Sequence, residues 1–122
     1  MNIYFAPLEG ITGFVLRNAY ESCFPGTIDR YFAPFIAASC RKKLAARDLR
    51  DVLPENNTGI CLIPQLLANK GEDFISTAQL LYQFGYRELN LNLGCPSATV
   101  VTKKRGAGLL AEPELLKAFL TE

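Results

Sequence analysis

Histidine and tryptophan are absent from this chain of 122 residues, and methionine occurs once. The missing histidine removes the commonest general acid–base group and the commonest metal ligand. Any proton chemistry must fall to Cys, Asp, Glu, Lys or Tyr. No apolar run approaches the roughly 20 residues that span a bilayer. The N-terminus lacks a basic segment ahead of an apolar one, so no signal peptide is expected. The cysteines at 23, 40, 61 and 95 never stand in C-x-x-C spacing, which weakens zinc and thioredoxin-like readings. A cytoplasmic protein with reduced thiols, no metal and no membrane segment is the expectation. Charge is balanced too. Thirteen basic and twelve acidic residues leave +1, so any basic patch must be local.

What is present is an alternation of two periods, and about half of the chain is apolar. Residues 3–8, 28–36, 60–68 and 88–94 read as strands. Residues 11–24, 41–53, 71–85 and 112–122 read as helices. Thr12 is the expected N-cap of the first, and Gly85 the stop of the third. In the second, Ala45, Ala46, Leu49, Val52 and Leu53 fall on one face. The order β-α-β-α-β-α-β-loop-α implies a parallel sheet with helical crossovers. A doubly wound sheet and a (β/α)8 barrel both satisfy it. The first βα turn, "APLEGITG", lacks G-x-G-x-x-G, so the dinucleotide fingerprint is missing. Four βα units are half of a barrel of about 250 residues. The last helix runs on without a stop signal. Residues 1–122 are therefore expected to be the N-terminal part of a larger α/β domain, an incomplete (β/α)8 TIM barrel.

Sites in parallel α/β sheets form at the C-terminal ends of strands. Four such ends are legible: Pro7-Leu8-Glu9-Gly10, Pro34-Phe35, Pro64-Gln65 and Asn92 to Pro96. In "LNLNLGCPS", Leu89, Leu91 and Leu93 share one face of a strand, and Asn90 and Asn92 the other. Two amides facing a ligand, or one wet face of an antiparallel strand, both fit that pattern. Gln65 offers donor and acceptor to the edge of a planar heterocycle, or it is satisfied by backbone. Gly94 lets a ligand approach closely, and Pro96 holds Cys95 out of helical conformation. An ordinary thiol titrates near ~8.5 and is mostly protonated at neutral pH, so it can act as a general acid. Cys23, Cys40 and Cys61 are expected as buried, inert thiols. Lys103, Lys104 and Arg105 lie in "VVTKKRGAGLL", read as a mobile loop. They are either a solvated surface or a contact for phosphates.

The stretches "FAPLEGITGFVLRNAY", "PQLL" and "LNLNLGCPSATVVTKKRGAGLL" resemble the tRNA-dihydrouridine synthases over essentially the whole chain. The resemblance implies a flavoenzyme on a TIM barrel followed by a helical domain. NADPH reduces FMN, and the flavin reduces a flipped-out tRNA uridine to 5,6-dihydrouridine. Carried onto this sequence, Pro7, Leu8 and Glu9 lie along the flavin. Gln65 binds the isoalloxazine edge, Asn92 holds the uracil and Cys95 donates the proton. Hydride arriving at C6 of the uracil builds negative charge toward C5, and an acid on the opposite face must quench it.

The second strand, "RYFAPFI", lacks the Glu that often follows Ser or Thr there in the family, and it is assigned no role. The phosphate grip after strands seven and eight, the family's later Lys and His, and the helical domain are also missing. Weak FMN binding, inactivity of the isolated chain and self-association through open half-barrel edges are therefore expected. Two rivals remain. One is a dihydroorotate or dihydropyrimidine dehydrogenase-like flavoenzyme acting on free pyrimidines. The other is a non-catalytic RNA-binding fragment.

Overall fold

The computed structural model describes residues 1–121. The strands are β1 (Tyr4–Phe5), β2 (Arg30–Phe32), β3 (Ile36–Ala37), β4 (Leu62–Ile63), β5 (Gln65–Leu67) and β6 (Asn90–Leu91). The helices are α1 (Phe14–Cys23), α2 (Ala46–Val52), α3 (Gly71–Gln83), α4 (Ala98–Val101), α5 (Ala107–Leu110) and α6 (Pro113–Thr121). A 3-10 turn covers Pro54–Asn56. Every strand pairing is parallel, in the orders β1-β2-β4 and β3-β5-β6. The expectation of an α/β chain built on parallel strands holds.

Two long strands expected from sequence are each broken in two. Pro34 separates β2 from β3 and Pro64 separates β4 from β5, where proline offers no N–H to the ladder. The pairing resumes at once. Ala33 N–H donates to Ile63 O at 3.1 Å, and Asn90 N–H to Pro64 O at 3.0 Å. The strand segments therefore lie side by side in chain order, all with C-terminal ends toward one rim. Tyr31, Ala33, Ile36, Leu62 and Leu66 from the strands pack with Val52 of α2 and Leu81 of α3. Leu66 and Leu81 are fully buried, and each stabilises by roughly 1.5–3 kcal/mol relative to exposure. Ala45 and Ala46 stay exposed, so the buried stripe of α2 is narrower than its spacing implied.

Gly85 does stop α3. Its φ is +96°, its N–H bonds to Tyr82 O at 3.0 Å, and Tyr86 N–H bonds to Leu81 O at 3.3 Å. This is the paired-bond αL termination that glycine permits. Thr12, in contrast, does not cap α1. Its Oγ1 closes the preceding turn, accepting from Leu8 N–H at 2.7 Å and bonding Leu8 O at 3.2 Å. The cap comes from Asp51 in α2, whose Oδ1 accepts Phe14 N–H at 2.6 Å. The last expected helix forms as α6, and Glu122 lies outside the described residues.

Asp51, itself partly exposed, pairs with a buried arginine that the helical spacing of residues 11–24 does not announce. Arg17 is completely buried. Its guanidinium donates to Thr12 O (2.8 Å), Asp51 Oδ2 (3.2 Å), Asp51 O (2.7 Å) and Asn57 Oδ1 (2.9 Å). One side chain thus ties α1 to α2 and to the turn after it. Tyr86 donates to Val52 O nearby at 2.6 Å, and its burial pushes the phenol up to about 12. Removing one member of a buried pair leaves the other uncompensated, at a cost of about 3–5 kcal/mol. Arg17→Met is expected to lose stability of that order, read from the urea midpoint at unchanged slope.

Candidate functional site

The rim at the C-terminal ends of the strands holds an open cleft of about 470 Å³. Pro7, Leu8 and Glu9 after β1, Pro34 and Phe35 between β2 and β3, and Gln65 at the start of β5 form part of its wall. The segment from Leu91 to Pro96 completes it. Residues far apart in sequence meet here because each follows or ends a parallel strand. Pro7, Leu8, Glu9, Gln65, Asn92 and Cys95 are all brought together. Pro34 and Phe35, given no role from sequence, line the same cleft. Lys103, Lys104 and Arg105 do not.

Three amides form a relay across β5 and β6. Asn92 Oδ1 accepts the backbone N–H of Gly94 (3.1 Å) and of Cys95 (2.9 Å). Its Nδ2 must then donate, and it does so to Gln65 Oε1 at 2.8 Å. Gln65 Nε2 donates in turn to Asn90 Oδ1 at 2.7 Å. The N–H of Cys95 therefore sets the direction of the whole relay, because an amide oxygen can only accept and its nitrogen only donate. Gln65 is nearly buried. It retains one N–H and one acceptor lone pair for another group.

Cys95 is clamped at both ends of its backbone. Its carbonyl accepts Ala107 N–H at 3.1 Å. The following Pro96 has no N–H. Gly106 sits directly against it with φ +55°, and a Cβ there would lie 2.8 Å from Cys95 O and 3.1 Å from Cys95 Cβ. Gly108 packs equally closely on Val101, with 2.6 Å from an added Cβ to its carbonyl oxygen. The expected mobile loop is thus a packed pair of short helices, α4 and α5. Its glycines serve close approach rather than flexibility. Cys95 is half-buried, whereas Cys23, Cys40 and Cys61 are exposed, contrary to the expectation of buried thiols. They fall at a helix end, in a loop and just before a strand, where the core does not reach.

The basic run is largely engaged. Lys104 Nζ lies 2.9 Å from Glu112, and Arg105 lies 3.2 Å from Asn69 Oδ1 and 3.9 Å from Asp73. Glu9 is 3.5 Å from Arg47, both exposed. A narrower hollow of about 270 Å³ lies beside the cleft against α2. Of its charged residues, Glu9, Arg47, Asp48 and Asp51 already pair with one another or with Arg17. Among the described residues no His, Cys, Asp or Glu group could hold a metal ion, and no helix is long and apolar enough to cross a membrane.

Parallel strands feeding one rim, with amides and a clamped thiol in a cleft there, define an α/β protein whose candidate site lies at its strand ends. Comparison narrows this class. The family model described as "Dihydrouridine synthase (Dus)" matches residues 4–122. The chain is 34% identical to a tRNA-dihydrouridine(16) synthase of Pseudomonas putida, over all of this chain and 39% of that protein. It is 33% identical to the same-named protein of Pseudomonas syringae pv. tomato, again over all of this chain and 39% of that protein. A probable tRNA-dihydrouridine synthase of Staphylococcus aureus is 28% identical over 90% of this chain and 33% of its own length. The chain belongs to the dihydrouridine synthase family. It spans about two fifths of the length of the Pseudomonas relatives.

Proposed function

We propose that this chain forms the first four βα units of a (β/α)8 flavin barrel that reduces uridine to 5,6-dihydrouridine in tRNA. Cys95 is its proton donor. The observation that carries this reading is the single cleft joining Gln65, Asn92 and the clamped Cys95 to the apolar turn of Pro7 and Leu8. The donor set fits a flavin. Gln65 has unfilled hydrogen-bonding capacity beside an apolar wall, which suits the polar edge and flat face of an isoalloxazine. Pro7, Leu8, Glu9 and Gln65 are the residues that would hold it. FMN, when bound and reduced by NADPH, supplies the hydride for C6 of the uracil.

The chain's own residues do the rest. Cys95 gives its thiol proton to C5: the S–H bond breaks, a C–H bond forms, and the thiolate left behind recovers a proton from solvent. Hydride plus proton balance the reduction. Asn92 uses its oxygen to fix the Cys95 turn and keeps one amide N–H for a uracil carbonyl. The phosphate grip of such barrels follows strands seven and eight, which supports weak flavin binding by these residues alone. The test uses the protein carrying this chain, with FMN, NADPH and an unmodified tRNA transcript. Dihydrouridine is expected at position 16, the site in the Pseudomonas relatives' names. Reduction of free uracil or orotate, with none of tRNA, would give the cleft to a free-pyrimidine enzyme instead.

A further inference from the structure

A second basic run, Arg41-Lys42-Lys43, lies in the loop between β3 and α2. All three side chains are exposed, and none makes a hydrogen bond or ion pair with another described residue. The run lines a hollow of about 630 Å³ with Ser39, Leu44 and Thr77. Asp48 also lines that hollow, but its carboxylate is engaged by Arg47 Nε at 3.4 Å. The run therefore differs from 103–105, where two of three cations already have carboxylate partners.

The loop is tethered on both sides of the cations. Ser39 N–H bonds Thr77 Oγ1 at 3.1 Å, and that hydroxyl returns to Ser39 O at 3.2 Å. Cys40 N–H bonds Asp73 Oδ1 at 2.9 Å. On the far side, Leu44 packs against the core. Three unneutralised cations are thus displayed from a loop whose ends are anchored, so less conformational freedom is lost when they are engaged. Asp73 is shared. It holds the Cys40 end of this loop and faces Arg105, so Asp73 lies between the two basic segments. Exposed Lys70 acts electrostatically on Cys40, as do the carboxylates of Asp73 and Glu72.

We infer that Arg41, Lys42 and Lys43 form a contact for the phosphodiester backbone of an RNA whose base enters the neighbouring cleft. The inference rests on the polynucleotide substrate of the proposed function. A base turned into the cleft leaves its flanking phosphates over the rim, and Arg41, Lys42 and Lys43 present three consecutive unpaired cations on the loop that follows β3. Phosphate contacts set position and supply salt-dependent affinity without reading sequence. A free pyrimidine would make no use of them.

The test is fluorescence anisotropy of a labelled, unmodified tRNA transcript with this chain across a series of KCl concentrations. R41Q/K42Q/K43Q is compared with K103Q/K104Q and with the parent sequence. Circular dichroism should be unchanged in both variants, since the altered side chains are exposed. The first variant should bind at least about tenfold more weakly. Its slope of log affinity against log salt should flatten by about 2–3, at about 0.7–0.9 per phosphate contact. The second should flatten by no more than about 1. Unchanged affinity and slope in R41Q/K42Q/K43Q, a larger loss in K103Q/K104Q, or no RNA binding by the parent chain at low salt would each overturn the inference. The assay needs neither flavin nor Cys95, so failure of uridine reduction is read separately from failure of this contact.

Discussion

Cys95→Ala should lower dihydrouridine formation by about 10²–10⁴-fold, the range that a positioned general acid contributes. The expectation follows from the geometry of its turn. The backbone N–H is held by Asn92 at 2.9 Å and the carbonyl by Ala107 N–H at 3.1 Å, so the side chain leaves from a fixed point beside the cleft. Alanine preserves those backbone bonds and removes only the thiol. Flavin content should therefore stay within about threefold of the parent protein, with the loss falling on the chemical step. Single turnover with pre-reduced flavin separates the two. Serine replacements at Cys23, Cys40 and Cys61 should leave the rate unchanged, since none of these residues lines the cleft. A Cys95→Ala protein that reduces tRNA uridine at the parent rate would remove the thiol from the mechanism. It would then favour a non-catalytic, RNA-binding role for this segment.

Gly106→Ala should cost about 10²-fold in the same rate, although residue 106 is eleven positions from the thiol. Its φ of +55° already disfavours any side chain. The new methyl would also sit 2.8 Å from Cys95 O, 2.9 Å from Val100 Cγ1 and 3.1 Å from Cys95 Cβ. The first and third of these contacts can be relieved only by moving the Cys95 turn. A displacement near 1 Å is what carries the expected loss. Gly59→Ala is the matched control. Its φ is +85° with nothing within 4 Å of the added carbon, so it bears the backbone strain without touching the site. Both variants should lose about 1–3 kcal/mol of stability. Only Gly106→Ala should also change the rate at which iodoacetamide alkylates Cys95, measured with the other three cysteines replaced by serine. Equal alkylation and equal turnover in the two variants would make the Gly106 contact structural alone.

The local features were legible because they are short-range. Period-two and period-3.6 patterns marked the strands and helices, since alternating or stepped apolar residues must face a core. Gly85 was read as a stop because an αL residue after a helix needs no distant partner. Candidate residues at strand ends were legible for a related reason. Parallel strands carry all their C-terminal ends to one rim, so Pro7, Gln65, Asn92 and Cys95 group there from the sequence alone. Pro34 and Pro64 are visible in the sequence, yet the strands expected to run through them are each broken there.

Partners across the chain were not legible. Thr12 has the chemistry of an N-cap, yet Asp51 fills that role from 37 residues away from Phe14. Nothing in the spacing around Arg17 states that it will be fully buried among Asp51, Asn57 and a carbonyl. The glycines of "KKRGAG" read as a mobile loop, and only the positions of Cys95 and Val101 show that they serve close approach.

The sequence by itself determined the order of strands and helices, the rim on which chemistry would lie and the residue types available there. Among those residue types is a thiol, Cys95. The tertiary structure alone decided how that thiol is held. Its turn depends on an amide relay through Gln65 and on a glycine from another helix pair, contacts made by folding between segments whose spacing in the chain carries no trace of them. It also distinguished the two basic runs, because whether a cation is neutralised depends on which carboxylate folding brings beside it. Lys104 and Arg105 acquired such neighbours, and Arg41, Lys42 and Lys43 did not.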